Sequence, residues 1–168
     1  MKTSEPVPNP AMHIGVSPAT FRSSKPWKDQ RPRDLVVCCS DGRFHSHIEE
    51  FVDTHLGIPE SDLLVIPGGP HALQLLSNYP KARWATKFFF EFLARHHQIS
   101  RIVLIGHEGC AWYRSVVFAG RDLNLIKECQ QQDLQAALGV AKDTHPRAKV
   151  ELYFAKPEGG NVEFSEVA

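Results

Sequence analysis

Two stretches far apart in the chain end in the same way. Leu35 to Arg43 reads LVVCCSDGR and Ile102 to Cys110 reads IVLIGHEGC, so that in each a run of buried-type residues passes straight into Cys or His. That is how a parallel strand of an α/β sheet delivers side chains to its carboxyl edge. His107 and Cys110 stand in a tight loop after their strand, at a spacing that lets both converge on one ion, and Cys39 can reach the same ion from a neighbouring strand. Two thiolates and one imidazole suit zinc. Three protein ligands leave a fourth tetrahedral position for water or substrate, the arrangement of a catalytic site. Taken singly, each of these residues reads as a packed cysteine or a satisfied histidine; the set is what points to a metal.

Just beyond Cys39 come Asp41 and Arg43. A carboxylate there can reach the fourth coordination position or accept a hydrogen bond from a bound hydroxide, and Arg43 can hold it in a charge-assisted pair. As a loop salt bridge alone the pair would contribute little, but its place beside a metal ligand favours function. Pro67-Gly68-Gly69-Pro70 follows another apolar run. Its glycines permit a tight turn or a close approach of backbone to a ligand, without the glycine pattern of a phosphate cradle. His45 with His47, and His96 with His97, read as surface histidines or proton shuttles, with a second metal site as the alternative.

The chain of 168 residues is long enough for one domain with a sizeable core, and 42% hydrophobic content fits an ordinary globular protein. Lys plus Arg equals Asp plus Glu at 19 each, so no global field favours nucleic acid or an anionic membrane, and the expected partner is a small molecule. No apolar run approaches the roughly 20 residues of a membrane span, and MKTSEPVPNP lacks a signal peptide's hydrophobic region. A cytoplasmic location is expected. There the four cysteines, which include Cys38 and Cys129, are thiols or ligands and not a disulfide framework.

The elements that would position these residues can be read from periodicity. Pro6, Pro8, Pro10, Pro18 and Pro26, with Pro32 just beyond, make residues 1–30 an extended arm, with a disordered tail as far as about Thr20 as the alternative. Residues 31–168 form the expected domain. Strands are predicted at Leu35–Cys39, Leu63–Ile66, Ile102–Gly106, Val150–Phe154 and Val162–Phe164, the last pair joined by the turn residues PEGG and the final strand at an edge. Helices are predicted over Phe44–His55 on Ile48, Phe51, Val52 and Leu56, over Lys81–His97, and over Asp122–Lys142 on Leu125, Cys129, Leu134, Ala137, Leu138 and Ala141. In the middle helix Trp84, Phe88 and Phe92 fall on one line with Ala85, Phe89 and Leu93 beside it, an apolar face for a core or a subunit interface. The result is an α/β single domain. It has a central, mostly parallel sheet of about four strands plus an edge strand, right-handed crossovers and flanking helices. With the first strand central, Cys39 faces His107 and Cys110 across the crevice where strand order reverses.

These residues resemble the β-class carbonic anhydrase family. Its Cys-x-Asp-x-Arg motif reads here as Cys39, Ser40, Asp41, Gly42, Arg43, and its Gly-His-x-x-Cys motif as Gly106, His107, Glu108, Gly109, Cys110. Upstream, QRPRDLVVCCSDGR is similar to the family's Gln-x-Pro lead-in and puts Gln30 at its substrate-orienting glutamine. The resemblance spans Gln30 to Phe164. It implies one Zn2+ per subunit on Cys39, His107 and Cys110, and a catalytic dyad of Asp41 and Arg43. Gln30, Gly68 and Gly69 would bind substrate. It also implies a homodimer or dimer of dimers, and a lyase activity, carbonate dehydratase: a zinc-bound hydroxide, oriented by the dyad, hydrates carbon dioxide reversibly to bicarbonate. Should the dyad break, Asp41 can itself ligate zinc and close the site.

The sequence departs from that pattern in places. Where the family has Arg-Asn-Ala-Gly-Asn, this chain has Ile66, Pro67, Gly68, Gly69, Pro70, which removes polar groups from pocket and interface. After Cys110 the customary Gly is Ala111, followed by the bulkier Trp112 and Tyr113. The arm is Pro-rich where the family often has interlocking helices. The more apolar pocket keeps open a zinc hydrolase of the same fold acting on carbonyl sulfide or carbon disulfide. A non-catalytic zinc-stabilised binding domain is the alternative from another class, and Asp41, Arg43 and Gln30 argue against it.

Overall fold

The computed structural model describes residues 21–74, 80–117 and 125–168. Within it the apolar runs become strands: β1 (Asp34–Cys39), β2 (Asp62–Ile66), β3 (Arg101–His107), β4 (Lys149–Glu158) and β5 (Asn161–Glu166). The sheet order is β2-β1-β3-β4-β5. The first four strands are mutually parallel, and β5 returns antiparallel to β4 as an edge strand through the Gly159-Gly160 turn. β1 is therefore central. Its partners β2 and β3 are reached in opposite directions, which opens a crevice at its carboxyl end.

The core explains why β1 and β3 read as unbroken apolar runs: both faces of the sheet are covered. On one face Leu35, Val37, Leu64, Ile102, Leu104 and Leu152 pack with Phe90 of helix α2 (Pro80–His96). Leu134, Ala137 and Ala141 of helix α3 (Ile126–Thr144) complete that layer. On the other face Val36, Cys38, Val103, Ile105 and Tyr153 meet Phe44 and Ile48 of helix α1 (Gly42–Glu50). Phe51 and Val52 join them from a π-helical turn, Phe51–His55, that continues α1. Cys38 thus points away from Cys39 into the α1 layer. Burial pushes its thiol up to about 12, which makes it a packing residue.

Several sequence expectations shift. Trp84, Phe88, Phe89 and Phe92 do not enter the core; they stand exposed, and α2 buries Thr86, Phe90 and Ala94 instead. The buried row has the same spacing as Trp84, Phe88 and Phe92 but is offset by two residues, about 200° round the helix, so the aromatic line faces away from the sheet. Leu125, assigned to the buried face of the last helix, is exposed just before α3 begins. The predicted start of that helix at Asp122 lies outside the described residues, as do Pro6, Pro8, Pro10 and Pro18.

Phe21–Gln30 has neither helix nor strand and is exposed throughout. It belongs to a unit ending at Gln30, separate from Arg31–Ala168. Among the described residues no helix is long and apolar enough to cross a membrane.

Candidate metal centre

β1 ends on Cys39 and β3 on His107, two parallel neighbours in register from Asp34 opposite Arg101 to Val37 opposite Leu104. The chain then turns through Gly109, whose φ of +70° is in the left-handed region, and brings Cys110 back to the same edge. Cys39 Sγ and Cys110 Sγ come to lie 3.8 Å apart. One donor atom each from Cys39, His107 and Cys110 falls within 4.8 Å of the others, and all three side chains are buried. Neither His45 with His47 nor His96 with His97 gathers a third ligand among the described residues. His45 Nε2 lies 3.2 Å from the Cys39 carbonyl, and His97 Nδ1 is 2.5 Å from Asp62.

Hydrogen bonding decides which nitrogen of His107 is available. Nδ1 lies 2.9 Å from the Glu108 carbonyl, which can only accept, so Nδ1 carries the proton and Nε2 is left with its lone pair. That Nε2 is buried without a hydrogen-bond partner among the described residues, as is Gln130 Oε1. Both residues border a cavity of about 10 Å³ together with Cys39, Cys110, His71 and Gly68, room for one water-sized group. Buried polar atoms are almost always satisfied. The orphaned imidazole beside two thiols therefore fits a metal, and the donor set fits zinc. Between the two thiols, the hydrogen bond from Cys110 holds the Cys39 thiol well below its usual range, and the same bond together with burial pushes Cys110 up.

Asp41 caps α1, its Oδ1 accepting from the Arg43 amide at 3.1 Å. The Arg43 guanidinium then grips both oxygens, Nε to Oδ1 at 3.0 Å and Nη2 to Oδ2 at 2.6 Å. This bidentate hydrogen bonding holds the Asp41 carboxyl down to about 2, so it is ionised at any ordinary pH. The Arg43 Nη2 also lies 3.5 Å from the Gly109 carbonyl, in the turn before Cys110. The Asp41 carboxylate is thus turned to Arg43 and is not one of the converging donors.

Of the two uses expected of Gly68 and Gly69, the tight turn is the one seen, and the atoms it approaches are those of the protein itself. A Cβ on Gly69 would lie 2.9 Å from the Cys39 amide nitrogen, and one on Gly68 would lie 2.7 Å from the Trp112 ring. Both have φ in the left-handed region, +82° for Gly68 and +58° for Gly69. Gln30 is exposed at the end of the first unit. His71, Gln130 and Asp133, which no sequence motif singles out, are further polar groups packed around the same centre. The available signal was that Gln130 and Asp133 share the face of α3 that carries Leu134, Ala137 and Ala141.

No family profile and no curated protein matches the sequence. Solved structures do match the fold. A β-carbonic anhydrase of the filamentous fungus Aspergillus fumigatus superposes with a TM-score of 0.54 at 13% identity, over 86% of this chain and 95% of that one. The carbonic anhydrase of Streptococcus mutans gives a TM-score of 0.52 at 15% identity, covering 86% and 87%. One from Sordaria macrospora, described as tetrameric, gives 0.52 at 18% identity, covering 83% and 84%. At such identities the likeness speaks for architecture alone, and on that level the conclusion is plain: this chain has the fold of the β-carbonic anhydrases.

Proposed function

We propose that this chain is a zinc-dependent carbonate dehydratase, a lyase for the reversible hydration of carbon dioxide to bicarbonate. The observation that carries the reading is the convergence of buried Cys39, His107 and Cys110 beside a bidentate Asp41–Arg43 pair at the carboxyl edge of β1 and β3. Cys39, His107 and Cys110 would hold one zinc per subunit. Bound there, zinc supplies the Lewis acidity that brings the ionisation of water down to near neutral pH. Asp41, ionised and without a proton to give, can only accept; it would orient an O–H so that the oxygen's lone pair is left for carbon dioxide. Arg43 keeps that carboxylate from swinging toward the ligands, and loss of the pair would let Asp41 close the site. Gly68 and Gly69 would offer backbone to the substrate, and Gln30 is proposed to orient it on the strength of the Gln-x-Pro lead-in alone.

In this reading residues 31–168 are the zinc domain, residues 1–30 an arm, and the protein a cytoplasmic homodimer or dimer of dimers. The exposed aromatic side of α2 and the edge of β2, which among the described residues pairs with β1 alone, support association. A second reading, hydrolysis of carbonyl sulfide or carbon disulfide, draws on the apolar wall where Trp112 packs against Gly68. The deciding experiment is stopped-flow hydration of carbon dioxide by zinc-verified protein, at neutral and at alkaline pH. Rapid turnover supports the dehydratase. Its absence at full zinc occupancy, with turnover of the sulfur gases, supports the second reading, and inertness toward all three gases returns the chain to a zinc-stabilised binding domain.

A further inference from the structure

One turn of α3 carries polar side chains that a helix face against a sheet would normally exclude. Gln130 is 5% exposed, and its Nε2 donates to the His107 carbonyl at 2.8 Å. Three residues on, Asp133 Oδ2 accepts from the Tyr113 hydroxyl at 2.8 Å and lies 2.7 Å from Nδ1 of buried His71. Gln74 Nε2 closes the group by donating to the Asp133 main-chain carbonyl at 3.0 Å.

Each partner belongs to a segment that carries or abuts a donor. His107 is itself one. Tyr113 opens the helical turn Tyr113–Val117 three residues on from Cys110, whose carbonyl accepts from the Arg114 amide. His71 and Gln74 belong to the 3₁₀ turn, Gly69–Leu73, and its cap; that turn packs through Gly69 onto the Cys39 amide. All three ligand segments are therefore tied to the same pair of side chains. The apolar contact of α3 with the sheet is supplied by Leu134, Ala137 and Ala141, so Gln130 and Asp133 add polar ties to the ligand segments beside it.

We infer that Gln130 and Asp133 are positioning residues for the metal centre, holding the His107, Cys110 and Cys39 segments in ligand geometry from the far side. This rests on the reading of Cys39, His107 and Cys110 as zinc ligands. Groups that hold metal ligands from outside are worth about 10–100-fold in metal affinity. Their effect should appear in metal binding and not only in stability.

The test uses the full chain and the near-isosteric variants Asp133→Asn and Gln130→Met, with Tyr113→Phe, which removes a single hydroxyl and keeps the ring packed. Zinc affinity is read by competition with a chromophoric chelator. Ligand geometry is read from the thiolate-to-metal absorption of the cobalt-loaded protein, and folding from far-ultraviolet circular dichroism. The wild type is expected to bind one zinc, with Asp133→Asn and Gln130→Met about 10–100-fold weaker and their cobalt spectra altered at unchanged secondary structure. Tyr113→Phe is expected to lose less in the same direction, and it decides the matter alone if the other two fail to fold. Wild-type affinity and spectrum in the folded variants would overturn the positioning role while leaving the zinc reading intact. A wild type that binds no zinc would overturn both.

Discussion

In the proposed reading Asp41 serves the helix and the site through one carboxylate. It accepts from the Arg43 amide as the cap of α1 and from the Arg43 guanidinium as an ion pair, so the cap fixes where the dyad sits. Substitution by Asn keeps a capping oxygen but gives up the charge that Arg43 grips. Asp41→Asn should therefore retain zinc and fold normally while losing carbon dioxide turnover by about 100-fold or more; metal analysis beside stopped-flow rates checks this, and an unchanged rate would remove Asp41 from the chemistry. Cys39→Ser should abolish stoichiometric zinc, because a hydroxyl stays protonated where a thiolate is needed. A full complement of metal in that variant would end the ligand assignment.

At the scale of elements, the 3₁₀ turn after β2 is held against β1 by the absence of side chains. Gly69 combines φ of +58° with backbone atoms of Cys38 and Cys39 at the place a Cβ would occupy. Neither contact can yield, since both partners belong to the central strand. Gly69→Ala should destabilise the fold by about 1–3 kcal/mol through overpacking and left-handed strain, measured as a lower denaturation midpoint. Weaker zinc binding should accompany it, because Cys39 must shift. Gly139, by contrast, has open space around its Cβ position, and the same substitution there, within α3, should be neutral or slightly stabilising.

At the scale of the whole molecule, the two ends of the sheet have different electrostatics. At the end opposite the candidate site, Glu151 takes Arg101 Nε at 2.6 Å and also pairs with Lys149. Burial opposes ionisation of Glu151, but the hydrogen bonds and charges of Lys149 and Arg101 outweigh it, and its carboxyl sits below the usual range. A depressed carboxylate stabilises the fold above its unfolded pKa, and that contribution is lost as pH falls through the folded value. Acid unfolding should therefore be less steep in Glu151→Gln than in wild type across that window, with the two curves parallel at neutral pH. The surface makes a second prediction. Trp84, Phe88, Phe89 and Phe92 form an exposed aromatic ridge on α2, and Leu63 and Val65 are exposed on the edge strand β2. Patches of this kind mark association sites. Phe88→Glu should shift the protein toward monomer in sedimentation velocity while leaving its circular dichroism unchanged; an unaltered mass would exclude this ridge from the interface.

How much of this was legible beforehand differs by residue. The strands follow from local information, apolar runs too short for helices with Cys and His at their ends; given a central first strand, the meeting of Cys39 with His107 and Cys110 follows too, because parallel strands open a crevice where their order reverses, and the order β2-β1-β3-β4-β5 supplies that condition. The glycines of PGGP announced a tight turn, and Gly68 and Gly69 make one with φ in the left-handed region, whereas the packing of Gly69 on the Cys39 amide is a contact between distant segments that the glycines alone do not specify. The aromatic line of α2 was visible as a pattern, but periodicity gives a face without saying what covers it, and the sheet took Phe90 and left Phe88 outside. His71, Gln130 and Asp133 could not be assembled from spacing, since each finds its partner across the fold, His71 to Asp133 and Gln130 to the carbonyl of His107. The sequence by itself determined the element types and the donor set, because propensity, alternation and ligand chemistry are properties of neighbouring residues. Tertiary structure alone decided the free nitrogen of His107, the grip of Arg43 on Asp41 and the support from α3, because hydrogen bonds between distant segments depend on where packing brings them.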